Sequence, residues 1–190
     1  PGVNITGGPR QVGQSINIRG LGSNQVAVAI DGINNQFSGF GHNQLRTLPN
    51  PFLYKEITVD PSGSNILYGS GNLGGSVNFT TIDPDILLGN SNFGGKLTFG
   101  ASSGAPGFNT GAAIAAKTNS VSYLFNILGD RNSNIHLGGG GILADSSGHN
   151  LQYLGKVIWN IDSEQQLKFS YLSMQNIGTY PATTSKEVSA

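Results

Sequence analysis

The sequence predicts a membrane β-barrel, partial and of about five antiparallel strands, behind an N-terminal α+β domain. Three observations carry that expectation. Beyond residue 90, apolar and polar side chains alternate over segments long enough to cross a hydrocarbon layer, which takes roughly nine to eleven residues per strand. The connections between those segments alternate between short and long. Before residue 80 the pattern differs, with short apolar stretches set between Gly, Asn and Pro clusters.

The N-terminal elements follow from those stretches. "INIRG" (16–20), "VAVAIDG" (26–32), "KEITVD" (55–60) and "SVNFTT" (76–81) read as strands, and none shows a 3.6-residue period. One helical turn fits "SNILYG" (64–69), with Ser64 as its cap. The grammar changes near "TTIDPDILLGNSNFGG" (80–95), which places the domains at 1–88 and 89–190.

In the second domain the strands are expected at about 93–101, 109–117, 120–129, 150–160 and 165–175. Val121, Tyr123, Phe125 and Ile127 share one face of the third. Leu151, Tyr153, Val157 and Trp159 do so in the fourth, and Leu167, Phe169 and Tyr171 in the fifth. The opposite, lumen-facing set is Lys96, Thr98, Ser122, Asn126, Gln152, Lys156, Lys168 and Ser170, with Leu124, Leu154, Ile158 and Leu172 breaking its polarity. A soluble sandwich shows the same alternation. The connections favour the barrel: "KTNS" (117–120) and "NIDSEQ" (160–165) are tight turns, whereas 130–149 is long and 176–190 runs on without a strand pattern. Membrane barrels segregate loop length by side in this way. Five strands cannot close a barrel, since the smallest have about eight, so a fragment of a longer protein is expected.

Composition narrows the function classes. The 190 residues include 29 Gly, no Cys and ten Lys+Arg against ten Asp+Glu. The balanced charge, with no basic run, argues against a nucleic-acid partner. Without cysteine, disulfide frameworks and thiolate metal sites are excluded. No stretch reaches the ~18 apolar residues of a membrane helix, a test that strand-built membrane proteins pass while still spanning the bilayer.

"GSGNLG" (69–74) matches a dinucleotide fingerprint, but an alternating strand follows where a helix N-terminus is needed, so no nucleotide is expected. The ten carboxylates are scattered and mostly in turns, and the chain is not expected to be an enzyme. His136 and His149 flank the long connection and read as solvated side chains. His42 stands in "NNQFSGFGHNQLRT", beside Phe37 and Phe40 on flexible glycines. An imidazole beside aromatic rings suits the iron of a planar apolar porphyrin, and a solvated loop histidine is the alternative.

"PGVNITGG…INIRGLGSNQVAVAIDG" followed by "LYGSGNLGGSVNFTTIDPDILL" resembles the plug domain of TonB-dependent outer-membrane receptors, in the haem/haemoglobin receptor branch. "GH" ahead of "NPFLYKEI" is the branch-level feature. The resemblance covers roughly 1–90 as plug and 91–190, more loosely, as opening barrel strands. It implies uptake of haem or haem-protein iron across the outer membrane of a Gram-negative bacterium, driven through the TonB complex, with outer-membrane lipid around the barrel. It also implies that His42 ligates haem iron, with Phe37 and Phe40 beside it, opposite a second histidine beyond residue 190. Arg19 and Glu56 match charged plug positions that hold plug to barrel wall. Asp60-Pro61-Ser62-Gly63 departs from the family's Arg-Gly-Pro, so an ion-pair network inherited there is in doubt. A ferric-siderophore receptor of the same architecture and a soluble β-rich binding module are the competing readings.

Overall fold

The computed structural model describes residues 2–7, 14–22, 25–35, 50–62, 73–179 and 188–189. The chain divides into two compact units, Pro1–Ile82 and Asp83–Ala190.

In the first unit, β1 (Val3–Gly7) and β2 (Gln14–Ile18) form an antiparallel pair. A second sheet contains β3 (Val26–Ile30), β4 (Ile33–Asn34), β5 (Tyr54–Asp60) and β6 (Gly75–Thr81), in the order β4-β3-β6-β5. Its central pair, β3 and β6, is parallel and the flanking pairs are antiparallel. Central parallel strands are buried on both faces, and "VAVA" is accordingly buried throughout. Ile16, Ile18, Val26, Val28, Val77 and Phe79 form the core, with Tyr54 packed against it. The Tyr54 ring meets Phe79 at 4.9 Å, and burial pushes its phenol pKa up.

Two tight turns explain two sequence signals. Arg19 and Gly20 have φ of 52° and 84°, and Ile18 and Leu21 exchange both backbone hydrogen bonds across them. Asp31 and Gly32 repeat this between β3 and β4, at 49° and 80°. Positive φ at both central positions is the turn whose twist matches a β-hairpin, and it favours Asp-Gly. Gly75, at φ 117°, opens β6 where a Cβ would lie 2.5 Å from the Asp60 carbonyl oxygen. The residues after the glycine run are therefore strand, and their amides serve β-pairing rather than a helix N-terminus.

The second unit begins with one helical turn, α1 (Asp85–Leu88), which Pro84 initiates. There follow β7 (Phe93–Ser102), β8 (Gly107–Lys117), β9 (Val121–Asn132), the short β10 (Ile135–His136) and β11 (Ile142–Leu143), then β12 (Gly148–Asn160), β13 (Gln166–Gly178) and β14 (Val188–Ser189). The five long strands pair antiparallel in chain order, leaving β7 and β13 as the edges of an open sheet. Register puts Lys96, Ala113, Asn126, Leu154 and Leu172 in one row on one face. Leu97, Ala112, Ile127, Tyr153 and Ser173 form the next row, on the other.

The faces differ sharply. Along β12, Asn150, Gln152, Leu154, Lys156 and Ile158 are buried. On the opposite face Leu97 is 86%, Phe99 80% and Tyr171 70% exposed to solvent, as a lipid-facing surface requires. Leu124, Leu154 and Ile158, which broke the polarity of the inward set, are buried on the inward face. The segment after 175, expected to carry no strand, instead extends β13 to Gly178 and supplies β14 against β11. The extension survives the end of apolar alternation because inward Asn176 donates to Asn150 across the pair. The long connection likewise carries β10 and β11, paired around Gly140 at φ 89°.

Gly94 shows how closely α1 approaches the sheet. A Cβ there would stand 2.0 Å from the Leu87 carbonyl oxygen, whereas one at Gly155 would meet nothing within 4 Å. Gly94→Ala is therefore expected to destabilise the sheet by about 1–3 kcal/mol, and Gly155→Ala to be near neutral. The heat-unfolding midpoint of the full-length protein, read by gel mobility, checks both.

Candidate functional site

The segment carrying His42, Phe37 and Phe40 lies between β4 and β5 in the chain; those three residues lie outside the described residues, as does Ser64. Its two attachment points are described, and both are fixed. At the exit, the Asn35 N–H donates to the Val28 carbonyl at 2.7 Å. Beside it, the Asp31 carboxylate accepts from the Thr81 N–H at 2.8 Å and the Thr81 hydroxyl at 2.6 Å. The Gly32 N–H donates to Asn78 Oδ1 at 3.0 Å. The hairpin is thereby tied to the central strand by side chains as well as backbone.

At the return, Asn50 is buried and its side chain accepts from the Phe52 N–H at 3.0 Å, capping a 3-10 turn over Pro51–Leu53. Leu53 is buried, and its carbonyl accepts from the Ile82 N–H at 2.9 Å. An Asn cap before Pro is a favoured helix-start combination, so this "NPFL" sequence sets the return geometry locally.

Arg19 and Glu56 are both exposed in the first unit. Arg19 occupies the β2 turn and donates its backbone N–H to the Gly2 carbonyl at 2.6 Å. Glu56 follows an irregularity in the β5 pairing and accepts a long hydrogen bond from the Thr58 hydroxyl, 3.5 Å. Asp60, the departure from the family pattern, accepts from the Ser62 N–H at 2.9 Å, closing a local turn. An acidic side chain does there what an arginine cannot.

The second unit contains a cluster that sequence reading missed. Lys156 and Lys168 stand on the inward face as diagonal neighbours, since Ile158 is opposite Lys168 and Lys156 is opposite Ser170. Two ammonium groups so placed repel. The Asp83 carboxylate lies between them, at 2.9 Å from Lys156 Nζ through Oδ1 and at 3.0 Å from Lys168 Nζ through Oδ2. The Lys156 side chain is 1% exposed, Asp83 9% and Lys168 40%. Preceding Pro84, Asp83 is biased to extended backbone. The only available signals were Asp-Pro after a strand and two inward lysines, and nothing in spacing joins positions 73 and 85 residues apart.

A polar row crosses the same face at the other end of the strands: Asn109, Asp130, Asn150 and Asn176 are register partners. Asn150 donates to Asp130 at 2.7 Å, and Asn132 donates to the same oxygen at 3.1 Å. Among the described residues, Oδ1 of Asn109 and of Asn126 are buried acceptors with no hydrogen-bond partner. The inward wall thus combines amides, carboxylate and ammonium groups, with no cluster of three potential metal ligands among the described residues.

Residues 1–76 match the TonB-dependent Receptor Plug Domain family. The chain is 31% identical over 182 residues, 95% of its length, to a "Hemin receptor" of Yersinia enterocolitica, and covers 26% of that protein. It superimposes on the FrpB iron transporter of Neisseria meningitidis with a TM-score of 0.81 at 23% identity, over 93% of this chain and 28% of that one. The hemophore receptor HasR of Serratia marcescens, solved as a double mutant with its hemophore HasA and heme, aligns with a TM-score of 0.77 and 25% identity, over 86% of this chain and 26% of that one. The chain spans about a quarter of the length of the curated relatives it matches.

Removing Asp83 leaves Lys156 charged, buried and facing a second cation. Asp83→Ala is expected to cost about 3–5 kcal/mol, whereas Asp83→Leu combined with Lys156→Met restores stability to near wild type. The same heat-unfolding midpoint in the full-length protein measures both.

Proposed function

Residues 1–76 belong to the plug-domain family of TonB-dependent receptors, and from that premise we propose that the intact protein takes up haem, or iron from haem-carrying proteins, across the outer membrane. The observation that carries the reading is the match to hemin receptors along 95% of this chain, through both units. In this reading haem is cargo, passed inward with no bond of the porphyrin made or broken, so the protein is a transporter and not an enzyme.

His42 supplies the imidazole that ligates the iron, and Phe37 and Phe40 give the porphyrin apolar contact. Ligand capture by a loop works when the loop's ends do not move, because a floating attachment adds ordering cost to binding. The hydrogen bonds of Asn35, Asp31 and Asn50 provide those fixed ends. A second histidine from a later extracellular loop completes the axial pair. Energy delivered through TonB then rearranges the plug, and Arg19 and Glu56 make the polar plug-to-wall contacts that this movement breaks. Polar contacts suit that task, since exposed ion pairs contribute only about 0–1 kcal/mol each and reform readily.

The test is His42→Ala in the full-length receptor. Soret-band changes on haem addition are expected to fall sharply and haem-dependent growth to be lost. Wild-type haem binding by the variant, or growth rescue by a ferric siderophore but not haem, would contradict the reading.

A further inference from the structure

The lipid-facing side of the sheet ends, on its long-connection side, in a row that does not look like lipid contact. Register places Ala101, Phe108, Arg131, His149 and Ile177 across the five strands at that level. Arg131 and His149 are directly opposite one another on β9 and β12, and both are exposed. Partners in that relation have Cβ atoms about 4.5–5.5 Å apart. Phe108 and Ile177 flank them, 49% and 60% exposed. The carboxylate adjacent to Arg131 in sequence, Asp130, faces the other side and is engaged with Asn150 and Asn132. Among the described residues neither Arg131 nor His149 forms an ion pair.

Their height on the sheet matters. Val121, Trp159 and Leu167 make the row nearest the tight turns, and ten residues of β9 separate Val121 from Arg131. Ten residues of strand rise about 33 Å, or roughly 25 Å along a barrel axis at the usual tilt. That is the height of the apolar band of an outer-membrane barrel, about 25 Å. If the row at Trp159 marks one headgroup boundary, Arg131 and His149 mark the other. The long connections on their side make it the outward-facing leaflet.

The wall below the pair is shaped for hydrocarbon. Gly129, two residues down β9, lies beside Leu151, where an added Cβ would stand 3.8 Å from the leucine Cδ1. Further down, Gly155 lies within an apolar groove of about 470 Å³ walled by Ile114, Phe125, Val157 and Tyr171. We propose that Arg131 and His149 clamp the phosphomonoester headgroup of an outer-leaflet glycolipid, whose acyl chain packs down this glycine-gapped wall. A guanidinium donates two parallel N–H bonds and an imidazole one, a donor set that terminal phosphate oxygens accept. Charge selects the monoester: it carries about −1.5 to −2 at neutral pH, where a phosphodiester carries a single negative charge.

The proposal rests on the outer-membrane reading above but not on haem, and its test contains none. Native mass spectrometry of the full-length receptor, titrated in detergent with lipid A, gives the affinity for the phosphorylated form. Enzymatically dephosphorylated lipid A and phosphatidylglycerol serve as comparison ligands. Phosphorylated lipid A is expected to bind at least about tenfold tighter than either, and R131Q/H149Q to abolish that difference. Both positions are exposed, and an unchanged heat-unfolding midpoint of R131Q/H149Q, read by gel mobility, reports that the variant folds. Equal affinity for the three lipids, or an undiminished preference in R131Q/H149Q, would overturn the assignment. Failure of the haem reading alone would leave this preference intact.

Discussion

The Asp83 carboxylate held between Lys156 and Lys168 is the interaction on which the second unit depends. Desolvating an ammonium group costs several kcal/mol, so a lysine as buried as Lys156 is tolerable only with its anion in place. The anion comes from Asp83, two residues ahead of α1, which fixes where that turn lies on the sheet. Gly94 then permits the approach that the ion pair requires. A slip of one residue in β12 or β13 would carry a lysine onto the lipid-facing side and away from Asp83. The cluster therefore adds little net stability over an apolar equivalent, yet it makes one register far better than its neighbours.

That constraint also explains the composition. A sheet with one face toward lipid and one toward a polar interior needs apolar residues only at alternate positions. Its overall hydropathy then stays modest although Leu97, Phe99, Phe169 and Tyr171 are exposed. Glycine serves several ends: the tight turns at Gly20 and Gly32, close backbone approach at Gly94, and a gap in the lipid-facing wall at Gly155.

The fold class was legible because its signals are local. Alternation in β9, β12 and β13 requires only neighbouring residues to be read, and Asp31-Gly32 announces its own hairpin. The two-residue strands β10, β11 and β14 were not legible, because a pair of residues has no period. The inward leucines looked like errors in a polar wall, since burial of Leu154 depends on three-dimensional surroundings rather than on β12. The Asp83 cluster was invisible for the same reason: both lysines read as inward-facing, but their shared anion is remote in sequence. Of the candidate haem site, residue types around His42 were legible, and the frame was not. That frame consists of side-chain bonds from Asp31 to Thr81 and from Asn78 to Gly32 that only folding brings together.

The two units thus share a design logic, in which a few charged or amide side chains fix the ends of chain segments. In the first, Asp31 and Asn50 hold the ends of the His42 segment, and in the second, Asp83 holds the entry to the strands. The most direct measurement is an experimental structure of the full-length receptor with haem bound. The account predicts His42 as an axial ligand of the iron, flanked by Phe37 and Phe40, with Asp83 still bridging Lys156 and Lys168. Haem iron ligated without His42 would contradict it.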